Sequence, residues 1–150
     1  MAEIKTRIAS PEDSPALARL NATFNESRLP AEHYATRLAD PNRVDTPILA
    51  EMDGTVVGFA NLRILRPVFY EETYAELTEL FVVETARRRG IGRLLLVHAE
   101  SLATEAGAEE MIILTNFYNH AALELYRAMG YQHHDIGLGK KLEKPTPHGQ

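Results

Sequence analysis

Residues 79–95 read Glu79-Leu80-Phe81-Val82-Val83-Glu84-Thr85-Ala86-Arg87-Arg88-Arg89-Gly90-Ile91-Gly92-Arg93-Leu94-Leu95, and this stretch decides the fold. Its apolar first part predicts a buried strand, and its last part predicts a helix that begins at a glycine-rich turn. Unpaired N–H groups at the start of a helix carry partial positive charge. Glycines let a phosphate approach these groups, and the neighbouring arginines add full charges. The stretch therefore predicts a loop that binds a pyrophosphate.

Two other phosphate-binding motifs fit this stretch poorly. A dinucleotide-binding fingerprint requires a third glycine where Leu95 stands. A Walker loop requires Gly-Lys followed by Ser or Thr, and the chain contains no such triplet. A helix start that only packs against protein is a further alternative. In that case the neighbouring arginines would repel one another with no anion between them.

The composition is that of one ordinary globular domain. The chain has 150 residues, of which 45% are hydrophobic and 25% are charged, and this length is enough to bury a core. A net charge of -5 argues against nucleic acid as a partner, because phosphate backbones require clustered Lys and Arg. The chain has no cysteine, which excludes disulfides, thiolate metal sites and an acyl-cysteine intermediate. Its six histidines form no metal-binding motif, so no metal is expected.

Neither a signal peptide nor a membrane span is predicted, because the longest apolar run, residues 94–97, is far shorter than either requires. We therefore expect a cytoplasmic protein without a membrane partner. Residues 1–143 are predicted to form a single domain, and residues 144–150 a disordered tail, because two prolines and polar residues fill that segment.

Apolar periodicity and turn residues predict the elements in the order β-α-α-β-β-β-α-β-α-β. Strands are predicted at residues 3–9, 47–52, 55–65, 74–83, 111–114 and 131–142, the last as one strand or two short ones. Helices are predicted from residue 11 through 20, 30 through 38, 91 through 106 and 121 through 129. An early hairpin and a later β-α-β unit predict a three-layer α/β fold. Its sheet would be mixed, mostly antiparallel, with 6–7 strands and helices on both faces.

Two motifs resemble those of the GNAT acetyltransferase superfamily. The first family motif, Arg/Gln-x-x-Gly-x-Gly/Ala, is met by Arg87, Gly90 and Gly92. The second, Asn-x-x-Ala-x-x-x-Tyr-x-x-x-Gly-Phe/Tyr, is met by residues 119–131. Both occur in the family's order and spacing, and the resemblance covers residues 3–142. It implies a splayed pair of central strands and acetyl-CoA as cosubstrate. It also implies direct transfer of acetyl to a primary amine of a small molecule in a ternary complex.

The resemblance also assigns roles to particular residues. Main-chain contacts to pantetheine would come from a bulged strand, and one of its amides, that of Phe81 or Val82, would stabilise the oxyanion. Tyr126 would protonate the departing thiolate, with a tyrosine that only packs as the alternative. The cofactor-binding residues implied by the family pattern are Leu80, Phe81, Val82, Arg87, Arg88, Arg89, Gly90, Ile91, Gly92, Arg93 and Asn119.

Glu76 and Glu79 are the candidate bases that would deprotonate the acceptor amine, directly or through water. Alternation along a strand places them on opposite faces, so at most one reaches the cleft unless the bulge intervenes. For each of them, a solvated strand residue is the alternative. Relatives that act on polyamines carry a glutamate where Thr78 stands, which argues against a polyamine acceptor.

The identity of the acceptor stays open. Acidic residues 71, 72, 76 and 79 would attract a cationic amine, or they would simply form a solvated edge. Three hypotheses therefore remain: an N-acetyltransferase for small amines, one for a protein or peptide, and a non-catalytic acyl-CoA sensor. A homodimer is expected because dimers are common among the relatives.

Overall fold

A computed structural model describes residues 1–116 and 118–147. The strands are β1 (Ile4–Ile8), β2 (Asp45–Met52), β3 (Thr55–Leu65), β4 (Thr73–Val82) and β5 (Ala108–Ile113). The helices are α1 (Ser14–Asn25), α2 (Ala31–Ala39), α3 (Ile91–Glu105) and α4 (His120–Ala128), with short 3-10 turns at Pro11–Asp13 and Glu84–Ala86. Among the helices of the described residues, none is long and apolar enough to cross a membrane.

The strands form one sheet in the order β1-β2-β3-β4-β5. The first three pairings are antiparallel, and β4 pairs with β5 in parallel through the crossover that contains α3. The predicted mixed, mostly antiparallel sheet is thus confirmed. The predicted hairpin is confirmed as well, because Asp53 and Gly54 both adopt positive φ (51° and 83°), as the favoured two-residue turn requires.

The two faces of the sheet carry separate hydrophobic cores. On one face, α1 and α2 pack through Leu20 and Leu38 against Leu49, Phe59 and Phe81. On the other face, α3 and α4 pack against the sheet, with buried side chains from Ile48, Ala60, Leu77, Leu95, Leu96 and Tyr126. Full burial of a side chain such as Leu95 contributes about 1.5–3 kcal/mol. The prediction of helices on both faces is therefore confirmed.

The strand predicted at residues 131–142 is wrong, and the sheet has five strands where six or seven were expected. Alternating apolar residues suggested a half-buried strand, but Ile136, Leu138 and Leu142 are 85–94% exposed and pack against no core. Gly137 and Gly139 further weaken extended structure because glycine loses the most conformational entropy on folding. Residues 144–147 also lie outside any helix or strand, and residues 148–150 of the predicted tail fall outside the described residues.

A bulge in β4 positions the site. Asn61 pairs with Glu79 and Leu62 pairs with Leu77, so Thr78 is an extra residue with no counterpart on β3. Arg63 pairs with Glu76, and residues two apart on β3 share one face of the sheet. The bulge therefore brings Glu76 and Glu79 to the same face, whereas simple alternation would separate them.

Candidate active site

The parallel strands β4 and β5 separate at their carboxyl ends. Their register ends at the pair Leu77 and Ile113, followed by one hydrogen bond from the Leu114 amide to the Leu77 carbonyl (3.2 Å). Beyond this point β4 continues without β5 as a partner, and a cleft of about 500 Å³ opens along the edge that β5 leaves free. The cleft is lined by Phe24, Asn25, Leu77, Thr78, Glu79, Leu80, Leu114, Thr115, Asn116, Asn119 and Tyr126. The structure thus contains a splayed pair of parallel strands, although β5 lies at the edge of the five-stranded sheet and not at its centre as expected.

The main chain of β4 presents hydrogen-bonding groups to this cleft. The Val83 amide donates to the Val57 carbonyl of the neighbouring strand β3 (2.8 Å). Since backbone groups alternate between the two edges of a strand, those of Leu80 and Val82 point to the cleft. Those of Phe81 point to β3, and its ring stacks on Phe24 with centroids 4.9 Å apart. Of the three residues predicted to make main-chain contacts, Phe81 therefore contributes a packing side chain, while its main chain faces β3.

The start of α3 holds a row of unpaired amides. The first intrahelical bond runs from the Leu94 amide to the Gly90 carbonyl (3.0 Å). The amides of residues 88–93 have no backbone or side-chain acceptor within the part of the chain that the structure describes. Arg88 and Gly90 adopt left-handed conformations (φ 63° and 77°), which curl the loop into a concavity of N–H groups. Such a concavity is suited to an anion with several oxygens.

Glycines shape this loop in two ways. A Cβ added at Gly90 would meet no heavy atom within 4 Å, so the space beside this residue is open. A Cβ added at Gly92 would lie 3.3 Å from Leu125 Cδ2, so this glycine allows α4 to pack closely on the start of α3. The loop therefore packs directly against α4, the helix that carries Tyr126.

Arg87 is anchored to the end of β4. Its Nε donates to the Val82 carbonyl (2.9 Å), and its guanidinium carbon lies 5.9 Å from the centroid of the Phe81 ring. The side chains of Arg88, Arg89 and Arg93 are exposed to solvent beside the loop. Arg87 thus fixes the turn between strand and loop, while the other three are the cations that an anion would meet.

Tyr126 lies in the wall of the cleft and is only 6% exposed. Burial raises the pKa of Tyr126 to about 12, so its phenol is neutral at physiological pH. The ring packs edge-on against that of Tyr131, with centroids 6.2 Å apart. The Tyr131 hydroxyl donates to Glu100 Oε2 on α3 (2.6 Å), and burial together with this bond raises the pKa of Tyr131. These contacts hold Tyr126 in place.

Asn119 lies in the same cleft at the start of α4. Its side-chain oxygen accepts from the Ala122 amide (3.4 Å), so it caps the helix. Asn116, which the sequence did not single out, organises the preceding turn by accepting from the amides of Tyr118 and Asn119 (2.9 and 3.0 Å). The sequence signal for such a turn is an Asn three residues before the Asn that caps the helix.

The two candidate bases occupy different places on their shared face. Glu79 lines the cleft, and its Oε2 accepts from Asn25 Nδ2 at the end of α1 (3.2 Å). Glu76 lies one row away, paired across the strands with Arg63, and does not line the cleft. Glu79 is therefore the carboxylate that lines the same cleft as Tyr126, and Asn25 is a contact that sequence reasoning missed.

Thr78 and Asn61 form a polar pair at the bulge. Asn61 Nδ2 donates to Thr78 Oγ1 (2.9 Å), although Asn61 is only 6% exposed and Thr78 lines the cleft. Asn61 Oδ1 is buried and has no donor within the described residues. The sequence signal for this pair is one amide side chain in the middle of the apolar strand from Val56 to Leu65.

A second hollow of about 500 Å³ lies at the beginning of β4, away from this cleft. Its lining includes Glu72, one of the predicted acidic residues, together with Tyr70, Tyr74, Glu109, Glu110 and Asp135. Of the predicted acidic residues, Glu79 alone lines the main cleft.

In the part of the chain that the structure describes, the histidines offer no metal site. His98 of α3 lies against β1, with its Nδ1 2.8 Å from Thr6 Oγ1. Within the described residues, no three potential metal ligands come together.

Comparison with known proteins gives a consistent picture. A sequence model described as the acetyltransferase (GNAT) family matches residues 14–131. An aminoalkylphosphonate N-acetyltransferase from Salmonella typhimurium is 30% identical over 140 residues, which cover 91% of this chain and 90% of that protein. A D-amino-acid N-acetyltransferase from Saccharomyces cerevisiae is 33% identical over 79 residues, or 53% of this chain. The match spans about half (49%) of the length of that yeast relative.

Solved structures share the fold. The structure of an aminoglycoside N-acetyltransferase in complex with CoA superposes with a TM-score of 0.80 at 17% sequence identity. The superposition covers 96% of this chain and 97% of that one. Sequence identity at this level supports a shared fold and nothing more. That fold includes the separated strands β4 and β5 beside the cleft.

Proposed function

Because the chain belongs to the acetyltransferase (GNAT) family, we propose that it transfers the acetyl group of acetyl-CoA to the primary amine of a small molecule. The observation that carries this proposal is the cleft between β4 and the segment after β5. Unpaired amides at the start of α3 lie at the end of β4, whereas Glu79, Leu80 and Tyr126 line the cleft itself. The cleft thus joins an anion-binding loop to a pair of proton-transfer groups.

The residues present fit acetyl-CoA. The amides of residues 88–93 and the exposed side chains of Arg88, Arg89 and Arg93 would hold its pyrophosphate. On the free edge of β4, the main chain of Leu80 and the amide of Val82 would bind the amide groups of pantetheine as a further strand would, while the Val82 carbonyl stays bonded to Arg87. Asn119 would contact the cofactor from the opposite wall. Bound in this way, acetyl-CoA supplies an activated acetyl group as a thioester.

Glu79 is the base in the proposed reaction. A primary amine is mostly an ammonium at neutral pH, and it has no lone pair until a proton leaves. Glu79 accepts that proton directly or through a water, and Asn25 holds its carboxylate in position. The amine nitrogen then attacks the thioester carbonyl carbon to form a tetrahedral oxyanion. The Leu80 or Val82 amide, which faces the cleft, stabilises this oxyanion.

Tyr126 assists the departure of the thiol. As the tetrahedral intermediate collapses, the carbon–sulfur bond breaks and its electron pair stays on sulfur. A thiol has a pKa near 8.5 in water, about three units below the pKa of Tyr126, so the phenol acts first as a hydrogen-bond donor to the thiolate. Proton transfer is completed as burial of the thiolate raises its own pKa. The products are the N-acetylated amine and CoA.

The acceptor is proposed to be a small molecule because Glu79 lies inside a cleft bounded by Phe24 and Asn25 of α1. The relatives above are named for D-amino acids, aminoalkylphosphonates and aminoglycosides, and a primary amine is common to these classes. The expected cytoplasmic location and homodimer stay predictions.

A thiol-release assay tests the proposed function. Purified protein is mixed with acetyl-CoA and one of a panel of amines, amino acids, aminoglycosides and peptides, and free CoA is detected with a thiol reagent. We expect release with at least one small amine, together with mass-spectrometric detection of its N-acetyl product. If acetyl-CoA raises the melting temperature but no amine gives release above hydrolysis, the protein is an acyl-CoA sensor. Release with peptides alone would favour the protein acetyltransferase hypothesis.

A further inference from the structure

Three carboxylates and one guanidinium share the face of the sheet beside the cleft. Asp45 of β2 pairs across the strands with Arg63 of β3, which in turn pairs with Glu76 of β4. Paired residues of neighbouring strands point to the same face, so these side chains form one row. Glu79 and Asn61 form the next row, about 7 Å away at two residues along a strand.

Arg63 is committed to the carboxylates. Its Nε donates to Asp45 Oδ1 at 2.6 Å, and both side chains remain accessible, at 40% and 46% exposure. The hydrogen bond to Asp45, followed by the charges of Asp45, Glu76 and Glu79, raises the pKa of Arg63. With one positive and three negative charges, the face has an excess of two negative charges at neutral pH.

One acceptor on the same face has no donor, and the nearest amide donor already has acceptors. Asn61 Oδ1 is buried without a donor in the described part of the chain. Asn25 Nδ2 donates to both Asn21 Oδ1 and Glu79 Oε2 (2.7 and 3.2 Å). A ligand that brings N–H groups or a positive charge would therefore be stabilised here, whereas a carboxylate or phosphonate would meet repulsion from Glu76 and Asp45.

We propose that the Asp45–Arg63 ion pair sets the substrate class of the enzyme, by selecting amines that carry no anionic group. The inference rests on the proposed function, since it concerns the acceptor of that reaction. An amine that reacts beside Glu79 places a group about four bonds away next to Arg63 and Glu76, because one row separates them. Asp45 balances the charge of Arg63, the one cation of that row, so an anionic substituent meets a row with an excess of negative charge.

Three acceptors of equal length test this selectivity: 1,4-diaminobutane, 4-aminobutanamide and 4-aminobutanoate. Their reacting amines are similar, and only the remote group changes from cation to neutral amide to anion. We expect kcat/KM for thiol release to be at least about tenfold lower for 4-aminobutanoate than for 4-aminobutanamide. Equal values for the two would overturn the inference and leave the proposed function intact. Thiol release with none of the three, but with another small amine of the wider panel, would overturn the inference alone, and release with no small amine at all would overturn both.

The variant Asp45→Asn frees Arg63 and should narrow the preference. We expect kcat/KM for 4-aminobutanoate to rise about fivefold and that for 1,4-diaminobutane to fall by a similar factor. The KM for acetyl-CoA should not change, because Asp45 lies outside the cofactor cleft. Asp53→Asn is the matched control: it makes the same change of charge at the opposite end of the same hairpin, where Asp53 accepts from the Glu3 amide. The inference is contradicted if Asp45→Asn, like Asp53→Asn, leaves the ratios of kcat/KM among the three acceptors at their wild-type values.

Discussion

The two sides of β4 offer different kinds of groups to a ligand. On the side of α3, the groups offered to a ligand are backbone amides, set by a glycine-rich loop and by the edge of a strand. On the side of α1 and α2, they are the side chains of Glu76 and Glu79, set by a one-residue bulge. Backbone recognition depends on conformation and tolerates many side chains, whereas side-chain recognition changes with each substitution. This difference explains how one cofactor could be paired with varied acceptors.

The largest effect that would sharpen this comparison is expected at Gly90. Gly90→Asp places a carboxylate in the open space before the α3 amides, and we expect the Kd for CoA to rise at least about a hundredfold. Gly90→Asn is the matched control, because Asn has nearly the same shape, carries no charge and tolerates the left-handed backbone. Isothermal titration calorimetry measures both variants. If they bind CoA equally, charge at the loop is not what governs binding.

A second prediction concerns Tyr126. Tyr126→Phe removes the proposed donor to the thiolate, and we expect kcat to fall about a hundredfold while the Kd for CoA changes little. The fold should be retained because the ring keeps its place against Tyr131 and its hydroxyl has no partner among the described residues. Steady-state thiol release combined with calorimetry separates the two quantities. A variant with unchanged kcat would remove Tyr126 as the acid.

The smallest effect is expected at an ion pair outside the cleft, where neither ligand is involved. Arg7 donates to both carboxylate oxygens of Asp13 (2.7 and 2.8 Å), and these bonds above all lower the pKa of Asp13 to about 2. A lowered carboxyl pKa stabilises the fold above the unfolded pKa of 3.8, and that stabilisation is lost as the pH falls towards about 2. We expect Asp13→Asn to lower the free energy of unfolding by about 1–2 kcal/mol at pH 7.

Urea unfolding at pH 7 and at pH 3 measures this change. The difference between wild type and Asp13→Asn should shrink at the lower pH, and the Kd for CoA should be the same in both proteins. A variant that loses CoA affinity while keeping its stability would show that this ion pair acts on the cofactor side.

The cofactor side could be predicted from the sequence because its determinants are local. Glycine spacing, a preceding strand and a following helix are all visible within residues 79–95, and the structure places a bare helix start there. The main-chain contact predicted for Phe81 could not be checked by spacing alone, since it depends on which edge of β4 each amide faces.

The acceptor side could not be predicted in the same way because its determinants are non-local. A bulge at Thr78 depends on how β4 pairs with β3, and the register shift alone puts Glu76 and Glu79 on one face. Asp45 and Arg63 are 18 residues apart and meet only through the hairpin. The strand predicted at residues 131–142 failed for a related reason: alternation describes a pattern, but a strand also needs a surface to cover.

The most direct test of the central claim, that acetyl-CoA lies along β4 and over the start of α3, is amide hydrogen exchange with and without CoA. The account predicts slower exchange on CoA addition at Leu80, Val82 and residues 88–93, where amides face the cleft or lack acceptors. The Phe81 amide, which faces β3, should change little. Unchanged exchange at residues 88–93 in the presence of saturating CoA would contradict the account.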